Sequence, residues 1–398
     1  MALKANNTCV ALKLQESVDT FSNPSSTTDV LPVSQLAFAI AGVTIANDEY
    51  TGSEAKNGAE VSGKNATLSY RVKIRPPGGA TVPLAGAFLL GRILVAAKMT
   101  ENRIGTAVPA SAEALGSGST TTVAVLGSGA AATANLYKGL ALTLAGLGSN
   151  TRSRLTAIRS YAADRTAVIM ETAGSTISGN YQIPTQLSYQ RSVVAGDAPF
   201  ASQRIWLDGH RYDLVNCVLT SLRIVIPAST REAAAFPELE VSWAVTILSD
   251  ADEATPVVPS LGPTPKWRDG KFFMGGRATP GSNLTLDSGL SVGYPPNPNK
   301  EEGNDAPQLI EATASLTFER HHSLKAVVDH LAQADAQAQH SVFAQWGYTA
   351  GGIVQLVVPD ARFNYASPNL GGGFITESGD MFIDALDKGF CLNFPYPA

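Results

Sequence analysis

Histidine beside carboxylate is the side-chain combination best suited to moving protons or holding a metal ion. Four of the chain's five histidines, His321, His322, His330 and His340, fall close together. Leu324, Val327, Val328 and Leu331 recur at i, i+3, i+4 and i+7, which predicts a helix over 323–339 with Ser323 as its N-cap. On such a helix His322 and His330 are about 12 Å apart, and no HxxxH or HExxH spacing puts two imidazoles on one face. The expectation is therefore exposed positions, with no metal and no cofactor.

Other chemistry-bearing residues also read as structure. Asp208 and His210 resemble an acid–base pair, but Asp208-Gly209 is what a two-residue hairpin demands. Gly116-Ser117-Gly118 and Gly127-Ser128-Gly129 lack the strand-to-helix elbow of a serine nucleophile, and the run from Gly371 to Gly373 lacks the Lys-Ser/Thr of a phosphate loop. Cys9, Cys217 and Cys391 are odd in number and far apart, giving neither a disulfide framework nor a metal spacing. Cys217 lies among Val215, Val218 and Leu219, where a buried, inert thiol is expected. No catalytic, cofactor-binding or metal residue is assigned, and the chain is expected not to be an enzyme.

The elements that carry these residues are strands. Hydrophobic residues make up 44% of the chain and charged ones 16%, with 36 Gly and 23 Pro, which disfavours long helices. At 398 residues the chain exceeds a single core. The net charge is −5, with no basic run to grip nucleic acid, and no apolar stretch approaches the roughly 20 residues of a membrane helix. Free cysteines and a start without an apolar leader core predict synthesis in a reducing cytoplasm.

Residues 1–30 are polar and read as an N-terminal arm. A first unit is expected over 31–250. Leu36, Phe38 and Ile40 alternate with smaller residues; a polar loop follows from 47 to 64; Leu68, Tyr70, Val72 and Ile74 then face one side of a strand, opposite Arg71, Lys73 and Arg75. After Pro76-Pro77-Gly78-Gly79 a helix is expected over 81–99, then the hairpin at Asp208-Gly209 and strands over 215–226 and 239–248. Short apolar runs over 105–195 predict a small inserted β subdomain.

A Pro-rich linker at 251–266 leads to a second unit over 267–398 with the same order. It has a strand near 283–292, a polar loop at 295–307, alternation at Ala312, Ala314, Leu316 and Phe318, a helix, a hairpin around Gly351-Gly352 and a last strand at 381–386. Strand, long polar loop, strand, helix, hairpin, strand occurs twice, so a duplicated fold is expected. The class is mainly β (α+β): two β-sandwich or half-barrel units, each with one flanking helix, plus the insertion.

The segment from Leu31 to Ile104 resembles the opening of siphophage tail tube proteins, the major tail protein family: a strand, the loop Thr51-Gly-Ser-Glu-Ala-Lys-Asn-Gly-Ala-Glu-Val-Ser-Gly63, an alternating strand and a small-residue-rich helix. Tyr137-Lys-Gly-Leu140, Tyr161-Ala-Ala-Asp-Arg-Thr-Ala-Val168, Phe236-Pro-Glu-Leu-Glu-Val241 and Gly352-Ile-Val-Gln-Leu-Val-Val-Pro-Asp-Ala-Arg-Phe363 are similar to other segments of that family. The resemblance implies a virion subunit, made in the host bacterial cytoplasm, whose rings stack into a hollow tail tube for DNA delivery. Its partners would be further copies of itself, the tape-measure protein, passing double-stranded DNA without specific binding, and the tail terminator and distal tail proteins, with no membrane.

By position, the inter-ring stacking loops would carry Asn47, Asp48, Glu49, Glu54, Lys56, Glu60, Lys64, Asn299, Lys300, Glu301, Glu302 and Asp305, with the N-terminal arm as a clasp between rings. A duplicated chain would need three copies for a pseudo-hexameric ring. The competing readings are another virion component, such as a tail terminator, decoration or secretion-tube-like protein, a β-sandwich adhesin or glycan-binding module, and a hydrolase, for which no convergent acid–base set is found. The four scattered tryptophans, Trp206, Trp243, Trp267 and Trp346, do not suggest the aromatic cluster that a binding module needs.

Overall fold

Leu68, Tyr70 and Val72 are buried on one face of the strand that their alternation predicts, while Ser69 and Arg71 stand on the more open face. The computed structural model describes residues 4, 6–47, 58–194, 198–229, 235–259, 262–268, 270–300, 303–347, 349–371, 373–384 and 388–397. Strand accounts for 50% and helix for 6%, and the main sheet curls into a half-barrel, as a mainly β chain should.

Six strands build the first repeat: β1 (Thr8–Leu14), β2 (Ser34–Ile45), β3 (Glu60–Lys73), β4 (Ala201–Leu207), β5 (His210–Ile226) and β6 (Glu238–Asp252). Six more follow: β7 (Lys271–Met274), β8 (Gly281–Asp287), β9 (Ser315–His321), β10 (Gln339–Trp346), β11 (Val354–Phe363) and β12 (Thr376–Ile383). Antiparallel ladders join the first six in the order β2-β3-β6-β5-β4-β1. The second six run β8-β9-β12-β11-β10-β7. Adding six to each label of the first series gives the second. The repeats join where Arg223–Ile226 of β5 pairs with Leu284–Asp287 of β8. They also share one core, in which Leu68 and Trp243 belong to the same cluster as Leu316, Trp346 and Met381.

Each repeat carries its helix in the same place, before the third strand from its end or before the insertion. Both helices are shorter than the sequence predicts. α1 spans Leu89–Ala96 rather than 81–99, because Pro83 and Gly86, with φ 71°, hold the preceding residues in turns. The insertion carries a single helical turn, α2 (Thr151–Arg154), and the second repeat carries α3 (His330–Asp335), not 323–339. Asp329 is the cap of α3: its side chain accepts a bond from the Ala332 N–H at 3.1 Å. Leu324, Val327 and Leu331, whose spacing suggested the longer helix, stay exposed.

Residues 8–14 depart from the arm expected of 1–30. Val10 and Leu12 are buried, and β1 pairs along its whole length with β4. Between β3 and β4 the chain also builds a second, smaller sheet. Val108–Ala114, Val123–Val125, Ala141–Leu144, Leu155–Tyr161, Thr166–Ile169 and Asn180–Ile183 make a six-stranded sheet around a separate core. It leaves and re-enters through Met99–Ile104 and Thr185–Arg191, which pair with each other, so its two ends are ladder neighbours; Thr185–Gln190 also pairs with the last strand, Cys391–Tyr396, which pairs with β11 and so joins this stem to the main sheet. The Asp208-Gly209 hairpin has φ of 51° and 97°, the left-handed pair that a tight two-residue connection requires.

Candidate functional site

A cluster of ionisable side chains lies where β9, β12 and the start of α3 meet. Arg320 on β9 and Glu377 on β12 are directly opposite and are 5% and 1% exposed. The Arg320 Nε–H donates to Glu377 Oε1, and its Nη2 lies 2.6 Å from His330 Nδ1. His322 Nδ1 lies 2.7 Å from Glu377 Oε2, and the His322 and His330 rings stack with centroids 5.3 Å apart. Spacing along one helix excluded this meeting. The correction has a simple cause: α3 begins only at His330, and the turns before it fold His322 back beside it.

His322, His330 and Glu377 place one ligand atom each within 4.8 Å of one another, a set that divalent metals accept. Arg320 already fills that role as a cation. It donates to Glu377 Oε1 and to His330 Nδ1, so two of the three groups already bond to a cation. Burial, then the positive charge of Arg320, lowers the pKa of His330, which favours a neutral ring accepting at Nδ1. Its Nε2 is left buried without a partner. The cluster is chemically an internally neutralised ion pair flanked by two imidazoles.

The other residues weighed from sequence are held structurally. Asp208 accepts from the Asn7 side chain and the Lys4 backbone N–H, each at 2.6 Å, and these bonds lower its pKa. His210 lies edge-on to Tyr212, 4.6 Å between centroids, and faces Asp250 and Asp252. All three cysteines are buried, and burial alone pushes the Cys9 thiol up to about 12, leaving it unreactive.

The proposed stacking residues divide three ways. Asp48, Glu49, Glu54, Lys56, Glu301 and Glu302 lie outside the described residues. Asn47 follows the end of β2, but Glu60 and Lys64 stand exposed on β3 rather than in a loop, because β2 and β3 stay paired out to Ile45 and Glu60. Asn299, Lys300 and Asp305 belong to a turn closed on itself. The Asn297 side chain donates to Asp305 at 2.7 Å and accepts from the Asn299 N–H at 3.0 Å, while Lys300 pairs with Asp19 at 3.1 Å. This turn is tied to the N-terminal segment of its own chain.

Arg71 on β3 is likewise paired within the chain. Arg71, Glu240, Arg223 and Asp287 stand opposite one another in succession across β3, β6, β5 and β8. Arg71 pairs with Glu240, and Arg223 lies 3.4 Å from Glu240 and 3.6 Å from Asp287. This charge ladder crosses the joint between the repeats and fixes its register. Lys73 sits 4.5 Å over the Phe236 ring.

The edges of the sheet are less settled. Among the described residues β2 pairs only with β3, and Ile40, Val43 and Ile45 on it are exposed. At the far end the short strand Ser367–Asn369 pairs only with β12, beside exposed Tyr365, Leu370, Phe374 and Ile375. Unpaired apolar edges are usually blunted or covered. Neither a family model nor a curated protein matches this chain. Among the described residues no helix is long and apolar enough to cross a membrane.

Proposed function

We propose that this chain is a structural subunit of the tail tube of a long-tailed, non-contractile bacteriophage, a virion protein whose rings stack into a hollow conduit for DNA. The observation that carries this reading is the repeated six-stranded unit, joined edge to edge in one sheet with an exposed apolar edge left at each end. A sheet of this kind either aggregates or closes through copies of itself, and closure around an axis produces a ring. Two repeats per chain make three chains sufficient for a ring of six units.

The role is passive. The Arg320–Glu377 ion pair is buried and self-neutralised, and the chain's net charge of −5 would not retain the phosphates of passing DNA. Partners in this reading are further copies of the chain, the tape-measure protein and DNA within the lumen, and the terminator and distal proteins at the tube ends. Negative-stain electron microscopy of the purified protein tests it. Rings or stacked tubes with a central hole are expected; particles that remain single chains at high concentration contradict it.

A further inference from the structure

The joint between the two repeats has a counterpart at the chain's open ends. The ladder Glu238↔Lys73 between β6 and β3 corresponds to Thr376↔His321 between β12 and β9, each closing its pairing at the same end. Following the ladders outward from these pairs, Val225 opposite Glu238 corresponds to Asn369 opposite Thr376. In the same way, Thr285 opposite Thr317 corresponds to Ala37 opposite Ser69. Segment 223–226 therefore matches 367–370, and segment 284–287 matches 36–39.

Segments 223–226 and 284–287 pair with each other inside the chain. Segments 367–370 and 36–39 have no such partner among the described residues. We infer that they pair with each other between chains: Leu36–Ala39 of one copy adds antiparallel to Ser367–Leu370 of the next, repeating the internal β5·β8 joint head to tail. This rests on the tube reading and supplies its ring-closing contact.

Three observations fit that occupant. The first is hydrogen-bond parity. In the internal joint the Ser288 N–H donates to the Leu222 carbonyl, so 222, 224 and 226 turn their backbone groups toward β8. At the other end the Asn364 N–H donates to the Asp380 carbonyl and the His322 N–H to that of Ile375. The alternate residues 376 and 378 of β12 thus serve 369 and 367, and 368 and 370 turn outward, as the correspondence requires.

The second is burial. Ile224, Ile226, Leu284 and Leu286 are closed off from solvent in the internal joint, whereas Leu370, the counterpart of Ile226, is 79% exposed. The third is edge chemistry. Pro368, the counterpart of Ile224, has no N–H to offer outward, so its rung keeps only the bond from the Phe38 N–H to the Pro368 carbonyl. A proline on an open edge also discourages pairing with unrelated strands. The contact joins two different surfaces, so it propagates until the rotation closes.

Two variants of the full-length protein test this. Ala37 and Asn369 would face each other as a pair without mutual backbone hydrogen bonds, with Cα atoms about 4.5 Å apart, within reach of a disulfide. The native cysteines are buried. Oxidised A37C/N369C is expected to give covalent chains that end at a closed trimer, while A37C or N369C alone gives none. L370K, at an exposed site, should keep the wild-type melting temperature within about 2 °C and lose ring assembly. Rings that form normally in L370K, or that give no cross-link in A37C/N369C, overturn this contact while leaving the tube reading standing. Wild-type protein that forms no rings overturns both.

Discussion

Arg320 and Glu377 face each other across β9 and β12 at the register position that Val72 and Leu239 hold across β3 and β6. One repeat has an apolar pair at this site and the other a buried ion pair. Removing one partner of such a pair strands a buried charge at a cost of about 3–5 kcal/mol, whereas replacing both with apolar residues is often neutral or stabilising. Arg320→Val alone should therefore lower unfolding free energy by about 3–5 kcal/mol, and the double variant R320V/E377L, which copies the first repeat, should recover most of it. Urea unfolding of the three proteins measures this, and a double variant as unstable as the single one would show that the cluster is needed for the fold.

The same neighbourhood gives stability a pH dependence. Burial, then the charge of Arg320, depresses His330, whose other charged or titratable neighbours are Glu377, His322 and Asp329. Burial, then Arg159 and Arg320, depresses His340. A histidine held neutral in the fold binds its proton more readily when unfolded, so the unfolded state carries more protons below about pH 6.5. Stability contributed by neutral His330 and His340 is present above that pH and is lost as pH falls through it. Melting temperature should drop between about pH 7 and pH 5, and His330→Gln with His340→Gln should flatten that slope. An unchanged slope in the double variant would place the titration elsewhere.

Lys271 of β7 joins the insertion to the second repeat. Its Nζ donates to the Glu171 carboxylate at 2.8 Å and to the carbonyls of Ser153 and Leu155 at 2.9 and 3.0 Å. Both side chains are largely buried. Lys271→Met leaves a carboxylate and two carbonyls unpaired, and about 3–5 kcal/mol is expected to be lost. Limited proteolysis should then cut within 105–183 at protease levels that spare the wild type.

Gly91 lies inside α1, where alanine would ordinarily stabilise by roughly 1 kcal/mol. A Cβ there would stand 2.0 Å from the Tyr189 hydroxyl, which donates to Glu101 at 2.8 Å. Overpacking of this kind costs about 1–3 kcal/mol and outweighs helix propensity. Gly91→Ala should lower the melting temperature, and Gly91→Ala with Tyr189→Phe should recover part of the loss; a stabilised single variant would show that the tyrosine moves aside freely.

What the sequence made legible followed local rules. The alternation at Leu68–Val72 and at Leu316–Phe318, the Asp208-Gly209 turn and the repeated element order all depend on residues near one another in the chain. The missed features depend on distant partners. Thr8–Leu14 reads as a polar arm because its strand exists by pairing with 201–207. His322 and Glu377 meet only through the register of β9 on β12. One local signal did point there: extending the alternation of Leu316 and Phe318 places Arg320 on the buried face, where a cation needs a partner. The long helix over 323–339 failed for the opposite reason, since Leu324, Val327 and Leu331 have the spacing but no surface within the chain to cover.

Native mass measurement of the smallest assembled ring counts its chains. Three chains of 41.6 kDa each are expected, so that every ring holds three internal and three inter-chain joints. A ring of six chains, or a protein that stays a single chain at assembly concentrations, would contradict this expectation.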